Sequence, residues 1–273
     1  MSTTDPAVFA EPAPAKLNLA LHVRGKRSDR RHEIETIFAF CTDGDSVEAR
    51  FAEGLSLTID GPFADELPGE TDNLVLRAAQ ALAEKANVPA NAALRLVKNL
   101  PVASGIGGGS ADAASTLRVL TRLWRIDPRH SQHVAPALGS DVPACLLSLT
   151  TRGEGAGDRL ALVDAGISGC PVLLINPLRP LATQDVFKGW DGADRGALVD
   201  WREGRNDLEA AAKLIVPEIR EILDWLERVD GVTYARMSGS GPTCFGLFED
   251  SAARDSAAAQ VPATWWHLAS WLR

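Results

Sequence analysis

From residue 16 to residue 23 apolar and polar side chains alternate, with Leu17, Leu19, Leu21 and Val23 on one face and Lys16, Asn18, Ala20 and His22 on the other. A period of two predicts a half-buried strand whose polar face carries Lys16 and Asn18. Further strands are expected at 34–40, 46–51 and 55–59, separated by Asp/Gly turns. Asp72 and Asn73 then precede Leu74, Val75, Ala78, Ala79, Leu82, Ala83 and Ala86, which fall on one helical stripe, so a capped helix is expected from residue 74. A short strand at 94–98, a glycine-rich loop and a helix over 110–124 burying Ala113, Leu117, Leu120 and Trp124 follow.

The glycines at 153–157 read as a flexible corner, after which the order changes. A strand at 172–175 leads to helices starting at Asp207 and Pro217, strands at 232–237 and 243–248, an alanine-rich helix from Ser251 and a strand near 265–269. The succession β-α-α-β-β-α-β is that of a split βαβ, ferredoxin-like unit. The fold class expected is therefore α+β. Two domains are expected, a strand-rich N-terminal one over 1–163 and a ferredoxin-like C-terminal one over 164–273. Trp265, Trp266 and Trp271 fit a packed terminal strand or an oligomer contact, and the chain is read as a monomer or homodimer.

Composition narrows the function classes. With 28 basic and 36 acidic residues the net charge is −8, and no basic block extends beyond Arg30-Arg31. Nucleic acid and anionic membranes are poor partners for such a surface. No apolar run approaches the ~20 residues of a membrane helix. The four cysteines are widely spaced without a C-x-x-C, and His130 and His133 lack a third ligand nearby, so no zinc site is expected. The opening Met-Ser-Thr-Thr-Asp-Pro has no basic and apolar leader pattern, and a reducing cytoplasm is the expected location.

The candidate chemistry centres on Pro101, Val102, Ala103, Ser104, Gly105, Ile106, Gly107, Gly108, Gly109, Ser110 and Ala111. Glycines let backbone amides approach an anion, and a helix opening at Ser110 presents the positive end of its dipole. No lysine follows as a Walker A loop requires, the glycine spacing misses the dinucleotide fingerprint, and the kinase tripeptides H-R-D and D-F-G are absent. A purely structural glycine turn is the competing reading.

The loop resembles the P-x-x-x-G-[LI]-G-[GS]-[GS]-[SA] segment of the superfamily of galactokinase, homoserine kinase, mevalonate kinase and phosphomevalonate kinase (GHMP). Two further segments resemble it in the same order: Pro14-Ala15-Lys16-Leu17-Asn18-Leu19-Ala20-Leu21-His22-Val23 and Met237-Ser238-Gly239-Ser240-Gly241-Pro242-Thr243-Cys244. Within the superfamily, Gly25-Lys26-Arg27-Ser28-Asp29, His32-Glu33, Gly109-Ser110-Ala111-Asp112-Ala113-Ala114 and Gly139-Ser140-Asp141-Val142-Pro143 look like the 4-diphosphocytidyl-2-C-methyl-D-erythritol kinase family of the non-mevalonate isoprenoid route. The resemblance runs from about residue 13 to 248.

That resemblance implies a two-domain GHMP fold, ATP and Mg²⁺, and transfer of a phosphoryl group to the 2-hydroxyl of the cytidylyl substrate. It makes Asp141 the catalytic aspartate and Lys16 its partner, suited respectively to a hydroxyl proton and to developing phosphoryl charge. Taken alone, Asp141 reads as a helix N-cap and Lys16 as a solvated strand lysine. Asn18 is assigned to the substrate hydroxyl and His32 to the cytosine edge. Phe187 matches the phenylalanine on one ring face. The family's Asp-Gly-Tyr-His is altered here, Arg30 and Arg31 replacing the glycine and the base-stacking tyrosine, and Arg31 is expected to stack instead. Ser110 would reach a phosphate or Mg²⁺, Asn73 and Lys98 border the adenosine, and Gly239, Ser240 and Gly241 form a second glycine turn. A kinase of another small alcohol and a catalytically silent nucleotide-binding member of the fold are the rival readings.

Overall fold

The computed structural model describes residues 7–29, 31–67 and 73–273. In chain order the elements are β1 (Phe9–Lys26), β2 (His32–Arg50), β3 (Leu55–Asp60), α1 (Leu74–Ala86), β4 (Ala92–Val97), α2 (Gly108–Leu123), α3 (Arg129–Leu138), α4 (Val142–Leu147), β5 (Thr151–Gly155), β6 (Arg159–Leu162), β7 (Pro171–Asn176), α5 (Thr183–Lys188), α6 (Glu209–Ile215), α7 (Glu218–Leu226), β8 (Val232–Met237), β9 (Cys244–Phe248), α8 (Ser251–Ala258) and β10 (Trp266–Trp271). Their contacts divide the chain into two compact units, one holding 44–102 and 108–147 with the chain before residue 15, the other 15–43, 103–107 and 148–273. The expected boundary at 163/164 falls inside the second unit, because β1 from residue 15, β2 up to residue 43 and the β5–β6 pair belong with the C-terminal half of the chain.

In the first unit, Ser46–Arg50 of β2 pairs antiparallel with β4, and β4 pairs parallel with β3. The parallel β3–β4 pair is joined through α1, the βαβ arrangement that needs a crossover helix. Ala92, Leu94 and Leu96 of β4 point inward, whereas Arg95 points outward to Asp60 and Glu48. The helix stripe of α1 is buried as expected at Val75, Ala78, Ala79, Leu82 and Ala83, and Asn73 caps it by accepting the Val75 N–H at 2.9 Å. Asp72 lies outside the described residues. Helices α3 and α4, not expected from periodicity, are short and carry three buried residues each.

In the second unit, β2 pairs antiparallel with β5, and β5 with β6. The supposed corner at 153–157 is thus mostly strand. Gly153 is there for space: a Cβ at this position would lie 2.6 Å from the ring of Phe38. The turn expected at Asp43-Gly44 is also absent, since β2 continues through it. Phe40 O accepts the Arg273 N–H at 2.9 Å beside an isolated Cys41–Leu272 bridge, and Ser270 Oγ donates to Asp43 Oδ2 at 2.6 Å. A second sheet, ordered β10-β7-β9-β8 and antiparallel throughout, is covered by α6, α7 and α8. Numbering its strands in chain order gives 4-1-3-2, the ferredoxin-like arrangement expected from the sequence. Its core gathers Leu173, Ile175, Ile219, Ile222, Leu226 and Phe248.

Candidate functional site

Lys16 and Asn18 lie on β1, where every residue from 13 to 23 is buried, so the half-buried strand expected from alternation is covered on both faces. The polar face tolerates this through hydrogen bonds. Lys16 Nζ donates to Asn18 Oδ1 at 2.8 Å, Asn18 Nδ2 to Thr36 Oγ1 at 2.8 Å, and Thr36 Oγ1 to the Ala20 carbonyl at 2.6 Å. Lys16 also lies 5.4 Å from the centroid of the Phe38 ring. A solvated lysine is therefore excluded.

Both glycine-rich segments meet this pair in the second unit. The Lys16 N–H donates to Ile106 O at 2.8 Å, and Asn18 N–H to Ser238 Oγ at 3.2 Å. Ser238 Oγ in turn donates to Gly105 O at 3.2 Å. A Cβ on Gly107, whose φ is +67°, would lie 2.9 Å from Lys16 Cε. On Gly239, at φ +56°, it would lie 3.0 Å from Asn18 Oδ1 and 3.1 Å from Gly105 O. Glycine is required at both positions by conformation and by space. Ser240 Oγ pairs with Thr183 Oγ1 at 2.9 Å, and Gly241 has φ +78°.

Also in the second unit, His32 stacks on Phe187 with ring centroids 4.5 Å apart and planes 24° from parallel, and Trp190 meets His32 edge-on at 5.7 Å. Among the described residues, none is hydrogen-bonded to the buried His32 Nε2 or Trp190 Nε1. Burial, and then the charge of Lys26, lower the pKa of His32. The exposed guanidinium of Arg31 pairs with Asp29, at 2.8 and 3.0 Å, and lies 3.7 Å from Asp158. Arg30 lies outside the described residues.

In the first unit the glycine loop runs directly into α2, which begins at Gly108, two residues before the expected start at Ser110. Ser110 is half-buried in the first turn, and a Cβ on Gly109 would meet nothing within 4 Å. Pro101 is buried, Val102 N–H donates to Glu66 Oε2 at 3.4 Å, and Ala111 is buried on the helix. Ala103 takes φ +50° and Ser104 O accepts from Thr243 Oγ1 at 2.6 Å, both in the second unit. Asp141 directly precedes α4, its carbonyl accepting the Cys145 N–H at 3.0 Å, while Pro143 occupies the first turn.

Lys98 corrects the sequence reading most. Only 2% exposed, it donates to Asp45 Oδ2 at 2.5 Å and to Asp112 Oδ2 at 2.8 Å. Asp45 Oδ1 accepts the backbone N–H groups of Asn99 and Leu100. The ammonium is thus used as an internal strut, while Asn73 uses its Oδ1 as the cap of α1. Burial raises the pKa of Asp112, Lys98 opposes this and Asp45 adds to it, while the two carboxylates outweigh desolvation and raise that of Lys98. Nothing local marked this triad in the sequence, because Asp45 comes from β2, more than fifty residues away.

Two family models match the chain, the GHMP kinases N-terminal domain over residues 73–148 and the GHMP kinases C-terminal one over 190–266. The chain is 50% identical over 278 residues to the 4-diphosphocytidyl-2-C-methyl-D-erythritol kinase of Rhizorhabdus wittichii, covering 96% of this chain and 94% of that protein. It is 46% identical to the kinase of the same name from Novosphingobium aromaticivorans, covering 96% and 92%. A crystal structure of 4-(cytidine 5'-diphospho)-2C-methyl-D-erythritol kinase superposes with a TM-score of 0.83 at 30% identity, covering 97% of this chain and 99% of that one. Homoserine kinase from Cytophaga hutchinsonii, at 17% identity and a TM-score of 0.70, shares the fold.

Proposed function

This chain belongs to the GHMP kinases, and we propose that it transfers the γ-phosphoryl group of ATP to the 2-hydroxyl of 4-diphosphocytidyl-2-C-methyl-D-erythritol. The observation that carries the reading is the hydrogen-bonded cluster of Lys16, Asn18, Gly105, Ile106 and Ser238, with Gly107 and Gly239 packed closely against it, built from three segments far apart in sequence. A silent member of the fold has no need to bury a lysine amid glycines.

Each residue has a chemical task. The first-turn amides of α2, from Gly108 to Ser110, lack intrahelical acceptors and carry the positive end of the dipole, which suits the ATP phosphates. The open space over Gly109 leaves room for them. Lys16 offers its charge to the phosphoryl oxygens, with Asn18 fixing the ammonium and lying close to the acceptor hydroxyl. Asp141 accepts or orients the hydroxyl proton, so the phosphoryl group passes directly to the alcohol without a covalent enzyme intermediate. The Ser110 hydroxyl, in the first turn of α2, would be the protein ligand for a Mg²⁺ carried in with ATP, whose chemistry would be to offset phosphate charge.

For the base, Phe187 supplies a ring face and His32 an edge. A neutral imidazole has one donor and one acceptor, matching the mixed donor and acceptor edge of cytosine. Among the described residues no helix is long and apolar enough to cross a membrane, and the reaction is assigned to the cytoplasm, where ATP is available. A phosphoryl-transfer assay over a panel of alcohols tests the reading: turnover is expected with the cytidylyl substrate. Turnover confined to a different alcohol would overturn the substrate assignment, and none with any would overturn the kinase.

A further inference from the structure

The Gly239 turn is held in place from behind by a residue that no motif above includes. Asn206 is 8% exposed and lies on a short extended stretch beside β1. There the Leu21 N–H donates to Arg205 O at 2.8 Å, the Asp207 N–H to Leu21 O at 2.9 Å, and the Val23 N–H to Asp207 Oδ2 at 2.7 Å. These bonds fix the backbone of Asn206 relative to the strand that carries Lys16 and Asn18. Its side chain is equally committed. Nδ2 donates to the carbonyls of Met237 at 2.9 Å and Gly239 at 2.8 Å, and Oδ1 accepts the Leu208 N–H at 3.0 Å.

A carboxamide is the group this position requires, since it supplies two donors and one acceptor from a single planar unit. Aspartate would set oxygen against two carbonyls, serine would reach one of them at most, and alanine would leave both buried acceptors without a donor. Position matters because Gly239 has no slack on its other side. The site of a Cβ on it lies 3.0 Å from Asn18 Oδ1, 3.1 Å from Gly105 O and 3.8 Å from Lys16 Nζ. Any shift of the turn toward β1 presses on the Lys16–Asn18 pair, and any shift away opens a gap behind the ammonium.

We propose that Asn206 is a positioning residue for phosphoryl transfer, its carboxamide clamping the Met237 and Gly239 carbonyls so that the turn keeps Lys16 and Asn18 aligned. The proposal rests on the kinase reading above. Small displacements at a reacting centre are costly, a misplacement of ~1 Å lowering rates by up to about a hundredfold.

The test compares Asn206→Ala and Asn206→Ser with wild type and with Ile222→Val, a change in the same core remote from the turn. Steady-state kinetics for both substrates are measured beside thermal melting. For Asn206→Ala kcat is expected to fall at least about tenfold, while KM for the cytidylyl substrate stays within about threefold. Asn206→Ser should lie between it and wild type, because one donor remains. Ile222→Val should lower the melting temperature with kcat unchanged. If Asn206→Ala does not fold, Asn206→Ser decides on the same terms. A folded variant with kcat within about threefold of wild type, or a loss confined to KM, overturns the proposal. Failure of the kinase reading is distinct, since wild type would then be inactive on the cytidylyl substrate. An alternative alcohol that is turned over would serve for the same comparison.

Discussion

His22 and Arg205 are joined by a bond that fixes the proton on the imidazole: Nε2 accepts the Arg205 N–H at 3.2 Å, so the ring proton sits on Nδ1, which faces Gly196 O at 3.0 Å. A second ring proton would set N–H against N–H in a buried position. Burial, with help from the Arg205 charge, lowers the pKa of His22 below 6.5, outweighing the Gly196 bond and the charges of Asp207 and Glu35.

This has a signed consequence for stability. As pH falls below 6.5 the unfolded chain takes up a proton at His22 before the folded one does, so stability decreases toward the folded pKa. His32, lowered by burial and Lys26, acts in the same direction. Urea denaturation should give a midpoint that drops between about pH 7.5 and pH 5.5, with a shallower drop in a folded His22→Gln variant. An equal drop in that variant would remove His22 from the account.

Lys98→Met should be severely destabilising, by about 3–5 kcal/mol, because it strands Asp45 and Asp112 in the core. Asp112→Asn should cost far less, since Lys98 keeps Asp45 and the excess buried charge is gone. Chemical denaturation of the two variants distinguishes this order from the reverse, which would show that the Asp112 charge is needed.

Gly107→Ala adds a Cβ at φ +67° within 2.9 Å of Lys16 Cε. The lysine must move, and kcat is expected to fall by about tenfold or more with the protein still folded. Unchanged kcat would show that the Lys16 position is not critical.

Asp141→Asn is expected to lower kcat by about a hundredfold or more while ATP affinity stays within about threefold, because proton transfer and nucleotide binding are assigned to different groups. Calorimetric titration with ATP beside single-turnover rates measures both. Substantial residual kcat would return Asp141 to the role of a helix cap.

At the base site Phe187→Ala should raise KM for the cytidylyl substrate by the equivalent of ~1–3 kcal/mol, the range for lost base stacking. Arg31→Ala should be kinetically neutral, its guanidinium being held by Asp29. The opposite pattern would restore Arg31 as the stacking residue.

Much of this fold was legible locally. The Asn73 cap, the buried stripe of α1, the ends of β8 and the strand and helix order behind the 4-1-3-2 sheet all follow from periodicity and capping within a few residues. The Lys16 and Gly105–Gly107 motifs were visible as well, through a pattern shared with known kinases. What local signals could not decide was burial and partnership across long sequence separations. Asp43-Gly44 reads as a turn until Ser270 and Arg273 bond to the strand it interrupts. Gly153 reads as a hinge until the Phe38 ring lies against it. Lys98 reads as a lysine at the border of the adenosine until β2 brings Asp45 beneath it, and Asn206 belongs to no motif until the carbonyls of Met237 and Gly239 meet its amide. A side chain's periodicity states which face it occupies, whereas its solvation and charge state depend on what the rest of the chain packs against that face.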